Sequence, residues 1–371
     1  MTQMNKQETK WLHCDTENEK KEAVALAARL LVDGQVVAVP TETVYGLAAN
    51  AENEEAVREI FRVKGRPQDN PLIVHIADLS MLDNVAVNIP EAAYTLARKF
   101  WPGPLTIILP RSGRIPATVS AGMDTIAVRF PSHPVAQAVI LASGKPLAAP
   151  SANRSGIPSP TEAAHVYADM NGRIPLILDG GPCSVGVEST VVTLCAAKPR
   201  ILRPGYITKD QLEEALGEEV EIDEACLKPM KKGTKVASPG MKYQHYAPNT
   251  RLTLAEGNLE DFISYAKRAG YRAALCYEED EAALKAEGFS CVCCGREADG
   301  ASQAKELFRA LRKLDELGEE KAIGRMPGCE DVELAVLNRL IRAAAFRVVC
   351  AATGEEKPVE NGEIMLHQQE K

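Results

Sequence analysis

The sequence predicts an α/β protein. A twisted, mixed open sheet comes first, and a second, smaller Rossmann-like α/β domain follows it. Three observations carry this reading. Short apolar, β-branched runs bounded by proline or glycine recur through residues 35–194, with helix-spaced segments between several of them. Those runs do not alternate strictly with helices, which argues for a mixed sheet over a purely parallel one. From residue 251 onward strand-like and helix-like segments do alternate, as in a parallel sheet. The length, 371 residues, allows two or three domains at ~100–200 residues each.

Residues 1–21 read as a polar lead-in. Residues 22–31 (EAVALAARLL) have helical spacing, and Gly34 closes them as a C-terminal glycine does. QVVAVP (35–40) reads as a strand, as do residues 72–76, 105–109, 125–130, 147–150, 175–178 and 190–194. Helices are expected over 54–62, 91–99, 134–142 and 161–170. This first domain is assigned 22–215. Residues 216–250 are a linker, basic and rich in proline and glycine around LKPMKKGTKVASPGMKYQHYAP (227–248). The second domain is assigned 251–350. Its strands are read at 251–255, 273–277 and 290–294, and its helices at 259–269, 302–317 and 332–348. A charged tail covers 351–371.

Composition narrows the function. Hydrophobic residues make up 45% and charged residues 25%, values of a globular chain that exclude disorder. No apolar run approaches ~18 residues, so no membrane span is expected. The start MTQMNKQETK lacks the apolar core of a signal peptide. The ten irregularly spaced cysteines are therefore read as reduced thiols of a cytoplasmic protein. Residues 1–250 carry 26 Lys+Arg against 28 Asp+Glu, and residues 251–371 carry 17 against 23. Neither part has the basic excess of tight, non-specific nucleic-acid binding.

Four polar clusters interrupt strand ends in the first domain. Thr41, Glu42, Thr43 and Tyr45 follow the QVVAVP strand, where α/β proteins place ligands, and Gly46 permits close backbone approach. Capping hydroxyls in an ordinary connection are the plainer explanation. Lys64 and Arg66, on a loop stiffened by Pro67 and Pro71, suit a polyphosphate, although a lone basic turn is more often simply solvated. Arg129 sits in an otherwise apolar strand, and a buried guanidinium needs an anion, from the protein or from a ligand. The run from Ser151 to Thr161 crowds hydroxyls and amides before a helix, an arrangement for anions or for caps. There is no P-loop, no GxSxG elbow, and no HExxH or paired CxxC zinc pattern. Cys291, Cys293 and Cys294 are read as structural thiols, because strand alternation splits them between faces.

Taken together and in order, these clusters resemble the threonylcarbamoyl-AMP synthase family, which has the YrdC-type fold. The strings are PTETVYGL (40–47), KGRPQDNPLIVHI (64–76), WPGPLT (101–106), DTIAVRFPSHP (124–134), PLAAPSANRSGIPSPT (146–161), DGGPCSVGVESTVV (179–192) and ILRPG (201–205). The linker SPGMKYQHYAP (238–248) and the second domain resemble the family's long form.

The resemblance implies synthesis of L-threonylcarbamoyl-AMP from L-threonine, bicarbonate or CO2, and ATP, with release of pyrophosphate. It is the first step in threonylcarbamoylating the adenosine beside the tRNA anticodon, with a hand-off to the tRNA threonylcarbamoyl transferase. It implies that Lys64 and Arg66 grip the phosphates, with Ser151 and Asn153 beside them as the catalytic group. Asn70, Thr125, Ser159 and Arg203 would bind ATP, and Tyr243, His245 and Tyr246 would close over it. Thr43, His75, Arg129, Ser189 and the backbone of Ala149 would hold threonine. No dedicated metal cage is visible, so Mg²⁺ is expected to arrive with ATP. Two other readings compete with it: a non-catalytic RNA- or nucleotide-binding module, and a hydrogenase-maturation type of carbamoyltransferase. Near-neutral charge weighs against the first. The missing acylphosphatase-like domain and zinc-finger cysteine pairs weigh against the second.

Overall fold

The computed structural model describes residues 8–226 and 246–356. They fall into two compact units. One holds residues 8–155 and 159–222, and the other holds 156–158, 223–226 and 246–356.

The first unit opens with β1 (Lys10–His13), α1 (Glu17–Val32), β2 (Val37–Val39), β3 (Gly46–Asn50), α2 (Glu54–Lys64) and β4 (Ile73–His75). It continues with α3 (Leu82–Val85), α4 (Glu91–Phe100), β5 (Leu105–Pro110), β6 (Thr125–Arg129), α5 (Pro134–Ser143) and β7 (Leu147–Ala148). It ends with α6 (Ala163–Met170), β8 (Leu176–Asp179), β9 (Thr190–Thr193), β10 (Arg200–Arg203), α7 (Lys209–Leu216) and β11 (Glu221–Ile222). The strands make one eleven-stranded sheet in the order β1-β8-β2-β3-β7-β4-β6-β5-β9-β10-β11. Parallel and antiparallel pairs both occur: β4 runs parallel to β6, and β5 antiparallel to it. The sheet is mixed, as the irregular alternation predicts.

Side-chain alternation gives this sheet two buried faces. Val37 and Val39 of β2 join Ala23, Ala27 and Leu31 of α1 and Val139 of α5 on one face. Val36 and Ala38 turn to the other, with Val57, Ile60 and Phe61 of α2 and Val166 of α6.

The second unit contains β12 (Arg251–Glu256), α8 (Leu259–Arg268), β13 (Ala273–Cys276), α9 (Glu281–Ala286) and β14 (Ser290–Cys293). After these come α10 (Gly300–Glu316), β15 (Lys321–Arg325), α11 (Asp331–Ala343) and β16 (Val348–Cys350). Its sheet, β14-β13-β15-β12-β16, is parallel throughout.

Four local readings need correction. The lead-in over residues 1–21 contains β1, paired in parallel with β8, and the first turn of α1. Thr16 starts that helix with a capping box to Glu19, so it begins earlier than its apolar stripe suggests. The PTETVYGL segment is less a loop than a sharp reversal. The chain returns at Gly46 as β3, antiparallel to β2, and a Cβ at Gly46 would lie 3.3 Å from that of Ala149. The short, alanine-rich strand carries no β-branched signal. β15, the central strand of the second sheet, was missed because Gly324 interrupts its apolar run. Side chains of Leu254 and Leu252 from β12 pack within 3.4 Å of where a Cβ would stand. The helix read over 332–348 ends at Ala343. Ala345 and Phe346 take positive φ (50° and 61°), and the chain re-enters the sheet as β16.

Candidate active site

The backbone register of the first sheet places polar residues abreast. His75 on β4 lies opposite Leu147 of β7 on one side and Arg129 of β6 on the other. Arg129 faces Thr106 of β5, Thr106 faces Val191 of β9, and Val191 faces Arg203 of β10. A row across six neighbouring strands thus carries two arginines, a histidine and a threonine, all buried. Such groups oppose burial unless they are hydrogen-bonded or paired, so their partners reveal what the row is built for.

Arg129 Nη1 donates to Thr43 Oγ1 at 2.8 Å, and Nε reaches the Gly103 carbonyl at 3.4 Å. Nη2 stands 2.8 Å from Glu42 Oε1, with both side chains buried. That contact satisfies distance but not direction: Nη2 donates no aligned hydrogen bond, and neither Glu42 oxygen accepts one. Thr41 and Thr43 share a hydroxyl contact of 2.9 Å. Neither His75 ring nitrogen has an aligned hydrogen-bond partner, although the backbone of Ile73 and Leu147 lies close to the ring. Burial, and then the Arg129 charge, push the His75 pKa down to about 3, so the ring is neutral at pH 7. It borders a small gap of about 10 Å³, shared with Val39, Thr41, Ala48, Leu147 and Ala149. The Ala149 N–H donates to the Ile73 carbonyl at 2.9 Å.

Along the row, Thr106 Oγ1 meets Ser189 Oγ at 2.7 Å. Arg203 clamps Ser189 with Nε to its carbonyl at 3.0 Å and Nη2 to its Oγ at 3.1 Å. Ser159 Oγ donates to Glu188 Oε1 at 2.7 Å.

Lys64 ends α2, and Gly65 closes the helix in the left-handed conformation (φ 64°) that a β-carbon disfavours. Lys64 Nζ donates to the Asn153 carbonyl at 2.6 Å and to the Ser151 carbonyl, while its own carbonyl accepts from Ser155 N–H. The lysine therefore fixes the 151–155 loop. Burial, then Arg66, hold its pKa well below the ordinary lysine value. Within the loop, Ser151 Oγ donates to Asn153 Oδ1 at 2.5 Å. Arg66 Nη2 donates to the carbonyls of Asn70 and Pro71 at 3.3 and 3.0 Å. The Asn70 amide is buried with neither Oδ1 nor Nδ2 bonded. Thr125 is half-buried at the head of β6, opposite Pro110.

Thr43, His75, Arg129, Ser189 and Arg203 thus form one connected region. Lys64, Arg66, Asn70, Ser151 and Asn153 are linked in a second cluster of the same unit. Tyr246 belongs to the second unit, where its ring packs on Phe308 with centroids 5.1 Å apart. Tyr243 and His245 lie outside the described residues. Sequence reasoning assigned no role to Glu42, Thr106 or Glu188. A carboxylate between two threonines at a strand end was the available signal for Glu42, as was a lone hydroxyl in LTIILP for Thr106. Among the described residues no group of three or more His, Cys, Asp or Glu is placed to hold a metal ion, and no helix is long and apolar enough to cross a membrane.

Two family models match the chain. One, described as "Telomere recombination" for the Sua5, YciO and YrdC group, covers residues 29–205, and the threonylcarbamoyl-AMP synthase C-terminal domain covers 207–345. The threonylcarbamoyl-AMP synthase of Bacillus subtilis is 46% identical over 330 residues, covering 88% of this chain and 94% of that protein. Its Pyrococcus abyssi counterpart is 41% identical over 337 residues, covering 88% and 95%. The crystal structure of P. abyssi Sua5 complexed with L-threonine matches with a TM-score of 0.82 at 39% identity, covering 92% of this chain and 99% of that one. With this identity sustained across both units, the chain belongs to the threonylcarbamoyl-AMP synthase family.

Proposed function

We propose that this chain synthesises L-threonylcarbamoyl-AMP from L-threonine, bicarbonate or CO2, and ATP, and releases pyrophosphate. The single observation that carries the reading is the buried row. Arg129 lies abreast of His75, whose ring nitrogens have no aligned partner, and is bonded to Thr43 in a sheet interior that packing alone would fill with apolar side chains. Threonine supplies what such a site lacks. Its carboxylate suits Arg129, and its hydroxyl has His75, Thr43 and Ser189 as candidate partners. ATP falls to the second cluster. Arg66 supplies positive charge there, Lys64 holds the 151–155 loop in place, and Asn70, Ser151 and Asn153 supply short polar contacts, with Thr125, Ser159 and, from the buried row, Arg203 as further partners of the nucleotide. Tyr243, His245 and Tyr246 remain the sequence-based candidates for covering the nucleotide.

The chemistry follows from the charges. Carbamate formation on the threonine nitrogen gives an anion that must approach the α-phosphorus of an anionic nucleotide. The protein's task is to orient the two and offset their repulsion, and orientation alone is worth up to ~7–11 kcal/mol in well-aligned cases. No side chain need form a covalent bond. Mg²⁺ enters as part of the nucleotide substrate. A carbamoyl-adenylate hydrolyses readily in water, so direct hand-off to the transferase that modifies tRNA is part of the proposal. The setting proposed is the cytoplasm, where the ten free thiols stay reduced.

The test is pyrophosphate release from ATP with L-threonine and bicarbonate omitted in turn, with mass spectrometry of the adenylate. Release that needs both, with the threonylcarbamoyl-AMP mass, is the expected result. ATP binding without turnover in the complete mixture overturns the reading.

A further inference from the structure

We propose that Glu42 receives the α-ammonium group of the substrate amino acid and takes its proton before carbamate forms. The inference deepens the reading above and rests on it. Glu42 follows β2 and is buried, with Oε1 2.8 Å from Arg129 Nη2. Neither carboxylate oxygen accepts a hydrogen bond, and the guanidinium nitrogen facing it donates none. A carboxylate offers about four acceptor positions, and leaving them empty in the interior is unfavourable unless a ligand fills them.

The missing donors have a definite chemistry. An α-amino acid carries a carboxylate and an ammonium group on one carbon. A buried cation and a buried anion side by side complement that pair. With the carboxylate on Arg129, the three N–H donors of the ammonium group face Glu42. Around Glu42, the positive charge is Arg129 from β6. His133 at the start of α5 and the Cys183 thiol after β8 also lie near it, and burial pushes the His133 pKa down and the Cys183 thiol up.

The reaction requires a base at this place. A protonated amine has no lone pair with which to attack carbon. Proton transfer from R–NH3⁺ to the Glu42 carboxylate gives R–NH2 and a carboxylic acid. The nitrogen lone pair then forms the N–C bond to CO2, one C=O bond pair moves onto oxygen, and loss of the second N–H proton to solvent leaves the carbamate anion.

The test uses the full chain and two ligands, L-threonine and its analogue with hydroxyl in place of the amine, 2,3-dihydroxybutanoate. Titration calorimetry on the wild type should show a preference for threonine of roughly 100-fold, the scale of one buried charge contact. Glu42→Gln should reduce that preference to about tenfold or less, with analogue affinity changed by no more than about threefold. The turnover deficit of Glu42→Gln should also shrink as pH rises from 7 to 9, because solvent then supplies free amine. Equal weakening of both ligands, or an undiminished preference, overturns the proposal and leaves Glu42 as a support for Arg129. Should Glu42→Gln fail to fold, Glu42→Asp keeps the charge and should keep the preference; its loss there also counts against the proposal. A wild type that binds no threonine defeats the functional reading itself, a result distinct from these.

Discussion

Two buried arginines, one in each unit, show what a finished ion pair and an open site look like. Arg325 at the end of β15 donates from Nη1 to Asp280 at 3.0 Å and from Nη2 to Glu297 at 2.7 Å, and its guanidinium lies 5.5 Å from the Tyr277 ring centre. Both arms have aligned partners. Arg129 in the first unit touches Glu42 at 2.8 Å without an aligned bond, beside a histidine with no aligned partner. The burial of the two residues is alike, so burial alone does not mark function. The unmet direction of Arg129 and Glu42, clustered with the His75 ring in one row, does, because a fold selected only for stability completes most of its interior hydrogen bonds.

Breaking each pair should separate the two roles, and these are the largest effects expected. Arg325→Met strands Asp280 in the interior and should cost ~3–5 kcal/mol in the unfolding of the second unit, with threonine affinity unchanged. Arg129→Met should lower threonine affinity by roughly 100-fold or more in whatever fraction remains folded. Denaturant unfolding and titration calorimetry on the same preparations read both. Unchanged threonine affinity in Arg129→Met would make Arg129 a structural ion-pair partner like Arg325.

His75 sharpens the comparison through pH. Its folded pKa of about 3 lies below the ordinary 6.5, so between these values the unfolded chain binds the proton and the folded chain does not. Stability from the neutral ring is therefore complete above pH 6.5 and is lost as pH falls towards 3. The full separation corresponds to roughly 4–5 kcal/mol at most, on a background of carboxylate titration. His75→Gln should flatten that part of the stability profile between pH 6 and 4, measured by urea midpoints against wild type. Equal slopes in the two proteins would mean that burial does not hold the ring neutral.

The legible features were those whose signal is local. Apolar runs separated by proline and glycine marked most strands of the first sheet, and their irregular order marked it as mixed. Charged or hydroxylated residues inside such runs, Arg129 and His75 among them, stood out because packing does not call for them. The parts that escaped are set by distant partners. Thr106 earns its place from Ser189, 83 residues away, and Glu42 from Arg129 on another strand. β15 was hidden because Gly324 answers to Leu254 and Leu252 of β12, beyond any local window. β1 was hidden because its pairing partner, β8, lies more than 160 residues on.

The smallest effect comes from a polar group whose bonds are local and made. Thr16 accepts from the Glu19 N–H, while the Glu19 carboxylate accepts from the Thr16 N–H at 3.0 Å, closing the start of α1. Removing the hydroxyl in Thr16→Ala frees a helix-end donor to water and should cost about 1 kcal/mol. The loss should appear as a small drop in the urea midpoint with an unchanged slope, because the surface exposed on unfolding is the same. Threonine affinity and its pH dependence should not move, since α1 contributes to the apolar face shared with α5 and no residue to the polar row. A polar substitution that shifts stability but not binding is the counterpart of Arg129. If Thr16→Ala altered threonine affinity, the helix would be coupled to the row through that shared face, and unmet directionality would no longer suffice to tell site from scaffold.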